Sequence, residues 1–312
     1  MNTIDETEAD LLDRVAARVL WLAVRMVDAA NTDHGRKDDI KVGGHQASSA
    51  SMVSLMTALW FRHLRQADRV AVKPHASPVF HSIQYLLGNL DRSYLTRLRE
   101  FGGLQAYPSR TKDPDIVDFS TGSVGLGASA PLFAGLVRRY VDAHFGARPE
   151  SRFVALIGDA ELDEGSVWES VADHATEGLG NVMWVVDFNR QSLDRVIPGI
   201  RIQQWRAQFE AAGWHVREVK YGYRMRATFA EPGGEVLREW IDKMPNEQYQ
   251  SLFALRGDAL RERLVDGSPS GLDAFISHYG DEELRTIVTD LGGHDIRALE
   301  IGLPPTGGLG VG

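Results

Sequence analysis

The sequence predicts an α/β fold: a parallel sheet with helices on both faces and a ligand site at the C-terminal ends of its strands. Three observations carry this. Residues 153–157 (FVALI) are a short apolar run, the mark of a strand buried on both faces, and the run stops at Gly158-Asp159-Ala160. A helix-length amphipathic segment, SVWESVADHATEGLG, follows it. A second apolar run, Val182–Val186, then ends at Asp187-Phe188-Asn189-Arg190-Gln191. Asp159 and Asn189 are thirty residues apart, one β-α-β unit, so each would sit at the end of a neighbouring strand. A carboxylate, an amide oxygen and nearby backbone carbonyls are hard donors, suited to Mg²⁺ or Ca²⁺ that also holds a diphosphate.

The flanking elements follow in order. Residues 7–30 place Leu11, Leu12, Val15, Val19, Leu22 and Met26 at helical spacing. A polar, Gly-bearing loop, NTDHGRKDDIKVGG, comes next. His45-Gln46-Ala47-Ser48-Ser49-Ala50-Ser51 opens a second helix running through MVSLMTALWFRHL, with Ser48 or Ser49 as its expected N-cap. Arg69–Val72 reads as a short strand, and the two prolines of Lys73-Pro74-His75-Ala76-Ser77-Pro78 fix a loop that aims His75. Residues 79–88 and Arg92–Phe101 are expected helices, and Gly102–Asp118 is a long loop of the kind that is usually functional. Glycines alternate in Phe119-Ser120-Thr121-Gly122-Ser123-Val124-Gly125-Leu126-Gly127, just before an apolar helix, where bare backbone can approach a ligand. Beyond the central unit, 199–212 reads as helix, Gly213–Tyr221 as an alternating strand, and 234–290 as charged helices forming an outer layer.

Composition narrows the classes. The chain has 312 residues, 43% of them hydrophobic, ample for a core. Its net charge of −9 argues against a general nucleic-acid binder. Without cysteine, thiolate metal sites, cysteine nucleophiles and disulfides are excluded. The acidic start MNTIDETEADLLDR is no signal peptide, and no apolar run approaches the ~20 residues of a membrane span. A cytoplasmic location is the expectation.

GDAELDEG followed by Asn189-Arg190-Gln191 resembles the thiamine-diphosphate motif of the transketolase-like superfamily. VGGHQAS, PHASP, LQAYPS, TGSVGLG, FEAAGWHV, NEQYQSLFALRG and LGGHD, in that order, resemble one branch, the homodimeric bacterial-type pyruvate dehydrogenase E1 component. The likeness runs over about residues 10–297 and implies the diphosphate-binding domain of the thiamine-diphosphate-binding fold. Residues 1–40 would then be an N-terminal helix and loop, 41–297 the domain, and 298–312 an irregular, disordered tail.

The resemblance also implies roles. Mg²⁺ would be held by Asp159, Asn189 and the backbone carbonyl of Gln191. Gly158, Asp159, Ala160, Glu161 and Asn189 would lie along the cofactor, with the backbone of Ser123, Val124 and Gly125 meeting its aminopyrimidine. His45 and His75 would stand near the thiazolium and the substrate, with Ser48 in the same pocket, as catalytic residues. The implied activity is Mg²⁺- and thiamine-diphosphate-dependent decarboxylation of a 2-keto acid such as pyruvate. Ketol transfer, as in the N-terminal subunit of a split transketolase, is one alternative, and an inactive truncated remnant another.

Three departures qualify the likeness. Ala160 replaces the third motif glycine, which is expected to weaken cofactor binding without abolishing it. Lys73-Pro74 stands where the family has Gln-Gly. The family's second domain, which carries the glutamate facing the aminopyrimidine, has no counterpart here. The expectation is therefore a split, truncated or frameshifted product lacking its last strand and inactive alone. It would need a pyrimidine-binding domain on another chain in a homo- or hetero-oligomer, and a lipoyl-bearing E2 component is a further implied partner.

Overall fold

The computed structural model describes residues 4–32, 42–44, 46–188, 191–192, 195–196 and 199–302. The chain divides into two compact units, the first extending to Glu218 and the second spanning Val219–Gly302.

The first unit opens with helix α1, Glu6–Thr32, which buries Ala9, Leu12, Ala16, Val19, Leu22, Ala23 and Met26 along one stripe. Leu11, expected on that stripe, is exposed instead. The second expected helix is broken into α2 (Gln46–Ala50), α3 (Val53–Ala58) and a π-helical turn at Leu59–His63. The break falls beside Ser51, whose Oγ donates to the Ser48 carbonyl at 3.2 Å and competes with the helical ladder. Ser48 and Ser49 lie inside α2 and cap nothing, which corrects their expected N-cap role.

Strand β1 (Arg69–Ala71) leads through a 3-10 turn, Pro74–Ala76, into helix α4, Ser77–Leu86. The helix expected at Arg92–Phe101 is only a 3-10 turn, Arg92–Thr96, capped by the Asp91 carboxylate. It stops at Arg97, where φ is −115° and ψ 31°; Leu98 then bridges Leu104, and Arg99 beyond it is left-handed, φ +63°. Helix α5 (Leu126–Phe145) starts at Gly125 and feeds strand β2, Phe153–Gly158. After a 3-10 turn, Asp159–Asp163, helix α6 (Gly165–Val171) returns the chain to strand β3, Val182–Asp187.

The three strands form one parallel sheet in the order β1-β2-β3. β2, in the middle, is buried at every residue, so both faces of the sheet are covered. One face carries Ala155 and Ile157 against Ala128, Leu162, Val167, Trp205 and Phe209. Two short antiparallel strands, β4 (Gln191–Ser192) and β5 (Arg195–Val196), precede helix α7, Gly199–Ala211. The register sets Gly158 opposite Asp187, so β2 and β3 end side by side.

The segment 213–221 is not a strand; only Tyr221 pairs, in a single bridge with Leu291. Its alternation reports one buried face, where Trp214 and Val216 pack on the aromatic cluster, and no sheet partner is required for that.

The second unit holds seven short helices: α8 (Tyr223–Phe229), α9 (Glu235–Lys243), α10 (Asn246–Leu252), α11 (Gly257–Val265), α12 (Leu272–Ile276), α13 (Asp281–Val288) and α14 (Ile296–Gly302). They enclose a core of their own around Met225, Leu237, Leu252, Leu260, Leu264, Leu272 and Leu284. The charged run 234–290 is therefore a compact unit, where the sequence reading has an outer layer of one domain spanning 41–297. Residues 296–302, expected in large part to be irregular tail, are helical.

Candidate functional site

The strand ends are organised by two carboxylates that reach between elements. Asp159 stands at the end of β2, is 1% exposed, and accepts the Ala160 N–H on Oδ1 at 3.0 Å. Glu161, two residues into the same turn, is 5% exposed. Its Oε1 accepts the Gly158 N–H at 3.0 Å and its Oε2 accepts the Gly125 N–H at 3.2 Å. One buried side chain thus ties the Gly158-Asp159 turn to the Ser123-Val124-Gly125 turn at the head of α5. Burial pushes the Glu161 carboxyl above its usual range, against the two N–H donors and the Lys73 charge, which pull it down.

Gly125 has φ +84°, a left-handed conformation at the entry to α5, and a Cβ there would sit 3.2 Å from Glu164 Cβ and Val167 Cγ2. Ser123 and Val124 beside it are exposed, leaving that turn open to a ligand. Ala160 lies outside the left-handed region, since Arg99 is the one non-glycine residue with positive φ among the described residues. Alanine therefore sits at the third motif position without backbone strain.

A third carboxylate, Asp187, ends β3. Its Oδ2 accepts Lys73 Nζ at 2.7 Å and Ser51 Oγ at 2.7 Å. The Lys73 and Asp187 side chains are only 6% and 15% exposed. The Lys73 stem runs along Gly158, where a Cβ would meet Lys73 Cε at 3.2 Å.

His75, two residues past Lys73 across the 3-10 turn, is exposed, with its ring edge-on to Tyr107 at 5.5 Å. It lines a small pocket with Gly43, Gly44, Pro78, Leu98, Arg99 and Ala106. The structure therefore brings Gly43 and Gly44 beside His75 and Pro78 of the PHASP stretch. Ser48 is half-buried in α2. His45 and Asn189 lie outside the described residues, as does the Gln191 side chain.

Several residues at this site escaped the sequence reading. Lys73 was marked only as a departure from the family pattern, and Ser51 and Asp187 carried no role. A lysine in an apolar strand-to-turn junction is the signal that could have singled it out. His81 is a second case: it is fully buried and its Nδ1 lies 2.7 Å from Asp115 Oδ2. Its Nε2 is 3.9 Å from Asp113, whose two oxygens accept the Gln105 and Ser109 N–H groups at 2.7 Å each. Among the described residues this is the group of three metal-ligand side chains closest together. Both Asp113 oxygens are spent on loop backbone and Asp115 Oδ2 on His81, while Asp115 Oδ1 and His81 Nε2 are buried without a hydrogen-bond partner among the described residues; the cluster clasps the 102–118 loop, which carries Tyr107 to His75.

The donor set fits a hard divalent cation with a diphosphate. The anionic oxygen of Asp159 is at the strand end, the Gly158 backbone is bare, and the Gly125 turn faces it across the Glu161 link.

Residues 17–230 match the family described as transketolase, thiamine diphosphate binding domain. The pyruvate dehydrogenase E1 component of Cupriavidus necator is 29% identical over 301 residues, which is 92% of this chain and 32% of that protein. The Escherichia coli K12 E1 component is 27% identical over 300 residues, 92% of this chain and 33% of its own length. The chain thus spans about a third of the curated relatives it matches. Among solved structures, a transketolase from Leishmania mexicana superposes with a TM-score of 0.57 at 22% identity, covering 67% of this chain and 32% of that one, and shares the fold. From the strand-end site and the match over residues 17–230, this chain belongs to the family of transketolase thiamine diphosphate binding domains.

Proposed function

We propose that this chain is the diphosphate-binding part of an enzyme of the pyruvate dehydrogenase E1 type that decarboxylates a 2-keto acid with Mg²⁺ and thiamine diphosphate. The observation that carries the reading is the Glu161 side chain, which accepts hydrogen bonds from both Gly158 and Gly125 and so joins the two segments that would flank the cofactor.

In this reading Asp159, Asn189 and the Gln191 carbonyl hold Mg²⁺. Gly158, Ala160 and Glu161 form the floor under the diphosphate, and the Ser123-Val124-Gly125 backbone receives the aminopyrimidine. When bound, thiamine diphosphate would supply the electron sink for loss of CO₂. His75 is placed beside Gly43 and Gly44, and in this reading His45, His75 and Ser48 are the catalytic residues. Imidazoles there orient substrate oxygens and exchange protons near neutral pH.

The active site would be completed by a pyrimidine-binding domain on another chain, in a homo- or hetero-oligomer, with a lipoyl-bearing protein as the acyl acceptor. One observation supports a partner: α5 leaves Leu126, Phe133, Val137 and Tyr140 exposed along one stripe.

Calorimetric titration with thiamine diphosphate and Mg²⁺ tests the binding step, with Asp159→Asn as the control expected to lose it. Absence of binding by the wild-type chain, even with a partner domain supplied, would sink the proposal. Release of CO₂ from pyruvate by the completed enzyme tests the reaction. Cleavage of xylulose phosphate without CO₂ release would redirect the assignment to ketol transfer.

A further inference from the structure

We infer that Lys73 is a resident cation for the diphosphate, a phosphate-binding residue that acts beside the divalent metal. The inference rests on the cofactor reading above and adds a residue to it.

The geometry supplies the argument. Lys73 Nζ is buried between the ends of β2 and β3, with its stem against Gly158 and its head 2.7 Å from Asp187 Oδ2. An ammonium carries three N–H donors, and among the described residues Asp187 is the one acceptor the head group meets. A buried ammonium with donors left over is costly unless further acceptors arrive. The site receives the end of a ligand whose terminal groups are acceptors only. Asp187 cannot turn away to leave the lysine freer, because Ser51 Oγ donates to the same oxygen at 2.7 Å and pins it.

The other charges facing the head are carboxylates. Glu161 is close enough for the Lys73 charge to lower its proton affinity, and Asp159 is next to Gly158. These carboxylates favour a cation, whereas Lys73 opposes it and favours the anion. The two ligands therefore report on Lys73 with opposite sign, which a purely structural lysine would not produce.

The probes are Mn²⁺ alone, followed by electron paramagnetic resonance, and inorganic pyrophosphate at saturating Mg²⁺, followed by calorimetry, both on the full chain. Lys73→Gln is expected to weaken pyrophosphate binding about tenfold, the worth of a charged hydrogen bond, while Mn²⁺ binds as well or better. Lys73→Arg, which keeps the charge, should stay within about threefold of wild type. Pyrophosphate affinity in Lys73→Gln within about twofold of wild type overturns this inference alone and leaves the cofactor reading standing. Equal weakening of Mn²⁺ and pyrophosphate also overturns it, since that would mark a collapsed site. Failure of the wild-type chain to bind Mg²⁺-pyrophosphate at all, even with a partner domain supplied, removes both. If Lys73→Gln does not fold, Asp187→Asn makes the test from the other partner: releasing the ammonium should tighten pyrophosphate about threefold or more, and weaker or unchanged binding overturns the assignment.

Discussion

Substituting Gly125 by alanine would test how the head of α5 is held. Two costs are visible. The residue has φ +84°, and an L side chain in left-handed backbone costs about 1–2 kcal/mol. The new Cβ would also sit 3.2 Å from both Glu164 Cβ and Val167 Cγ2, crowding that adds roughly 1 kcal/mol. The sum, about 2–3 kcal/mol, corresponds to a melting-temperature loss of roughly 4–12 °C for a unit of this size. Gly122 is the internal control. It lies three residues earlier in the same turn, outside the left-handed region, and a Cβ there would meet only Tyr107 Cδ2 at 3.8 Å. Gly122→Ala should change stability by less than about 0.5 kcal/mol. Differential scanning fluorimetry of both variants decides. Because the Gly125 N–H is one of the two donors to Glu161, Gly125→Ala should also weaken Mg²⁺-pyrophosphate binding, whereas Gly122→Ala should not. A Gly125→Ala protein melting within about 1 °C of wild type, or equal losses in the two variants, would refute the argument from conformation.

Three further perturbations have clear outcomes. Asp68 accepts four N–H groups, from the Arg65 and Arg152 backbones and from Arg152 Nε and Nη2, just before β1 and β2 begin; Asp68→Ala should cost about 3–5 kcal/mol in urea unfolding, and less than about 1 kcal/mol would show the buried pair to be dispensable. Burial holds the folded-state pKa of Glu161 above its ordinary value of 4.5, so its contribution is present below that pH and lost as pH rises through the folded value. Wild type should therefore lose more stability than Glu161→Gln on going from about pH 4.5 to neutrality, and parallel melting curves would contradict this. The exposed stripe on α5 predicts self-association or capture of a partner domain: Phe133→Glu with Val137→Glu should shift light-scattering mass towards the monomer, and a wild-type chain already monomeric at micromolar concentration would remove the stripe as an interface of this chain with itself.

Much of the fold was written in local pattern. The run FVALIG has no polar residue to leave on a solvent face, so it had to be a central strand, and the parallel pairing with Val182–Asp187 follows from the helix between them. What local pattern could not show was contact across the chain. Lys73 and Asp187 are 114 residues apart, and Gly125 and Glu161 are 36 apart. Neither pair has a periodicity that announces it. Alternation at 213–221 misled because one buried face looks the same with or without a neighbouring strand. The charged helices after Val219 read as a solvated layer because their buried leucines and methionines are spread thinly over seven short elements, and only in space do they form one core. At Arg97 the backbone leaves the helical region to let Leu98 bridge Leu104, a contact that a composition compatible with helix does not announce.

The charges at the strand ends argue for an order of events. Asp187 and Glu161 lie near Lys73 and Asp159 stands at the end of the same strand as Gly158, so the fixed groups sum to an excess of negative charge. A diphosphate would add more. At an effective dielectric of about 20, two like charges 4 Å apart repel by roughly 4 kcal/mol, more than one lysine offsets. A divalent cation at Asp159 would cancel that excess and let the anion approach. Lys73 cannot replace the metal, because Asp187 already claims most of its charge. It can set where the far phosphate lies, since its head is fixed by two strands and by Ser51. In the proposed reading the metal would decide whether the ligand binds, and the lysine how it is seated. That division would give the buried Lys73–Asp187 pair beside Gly158 a role in binding.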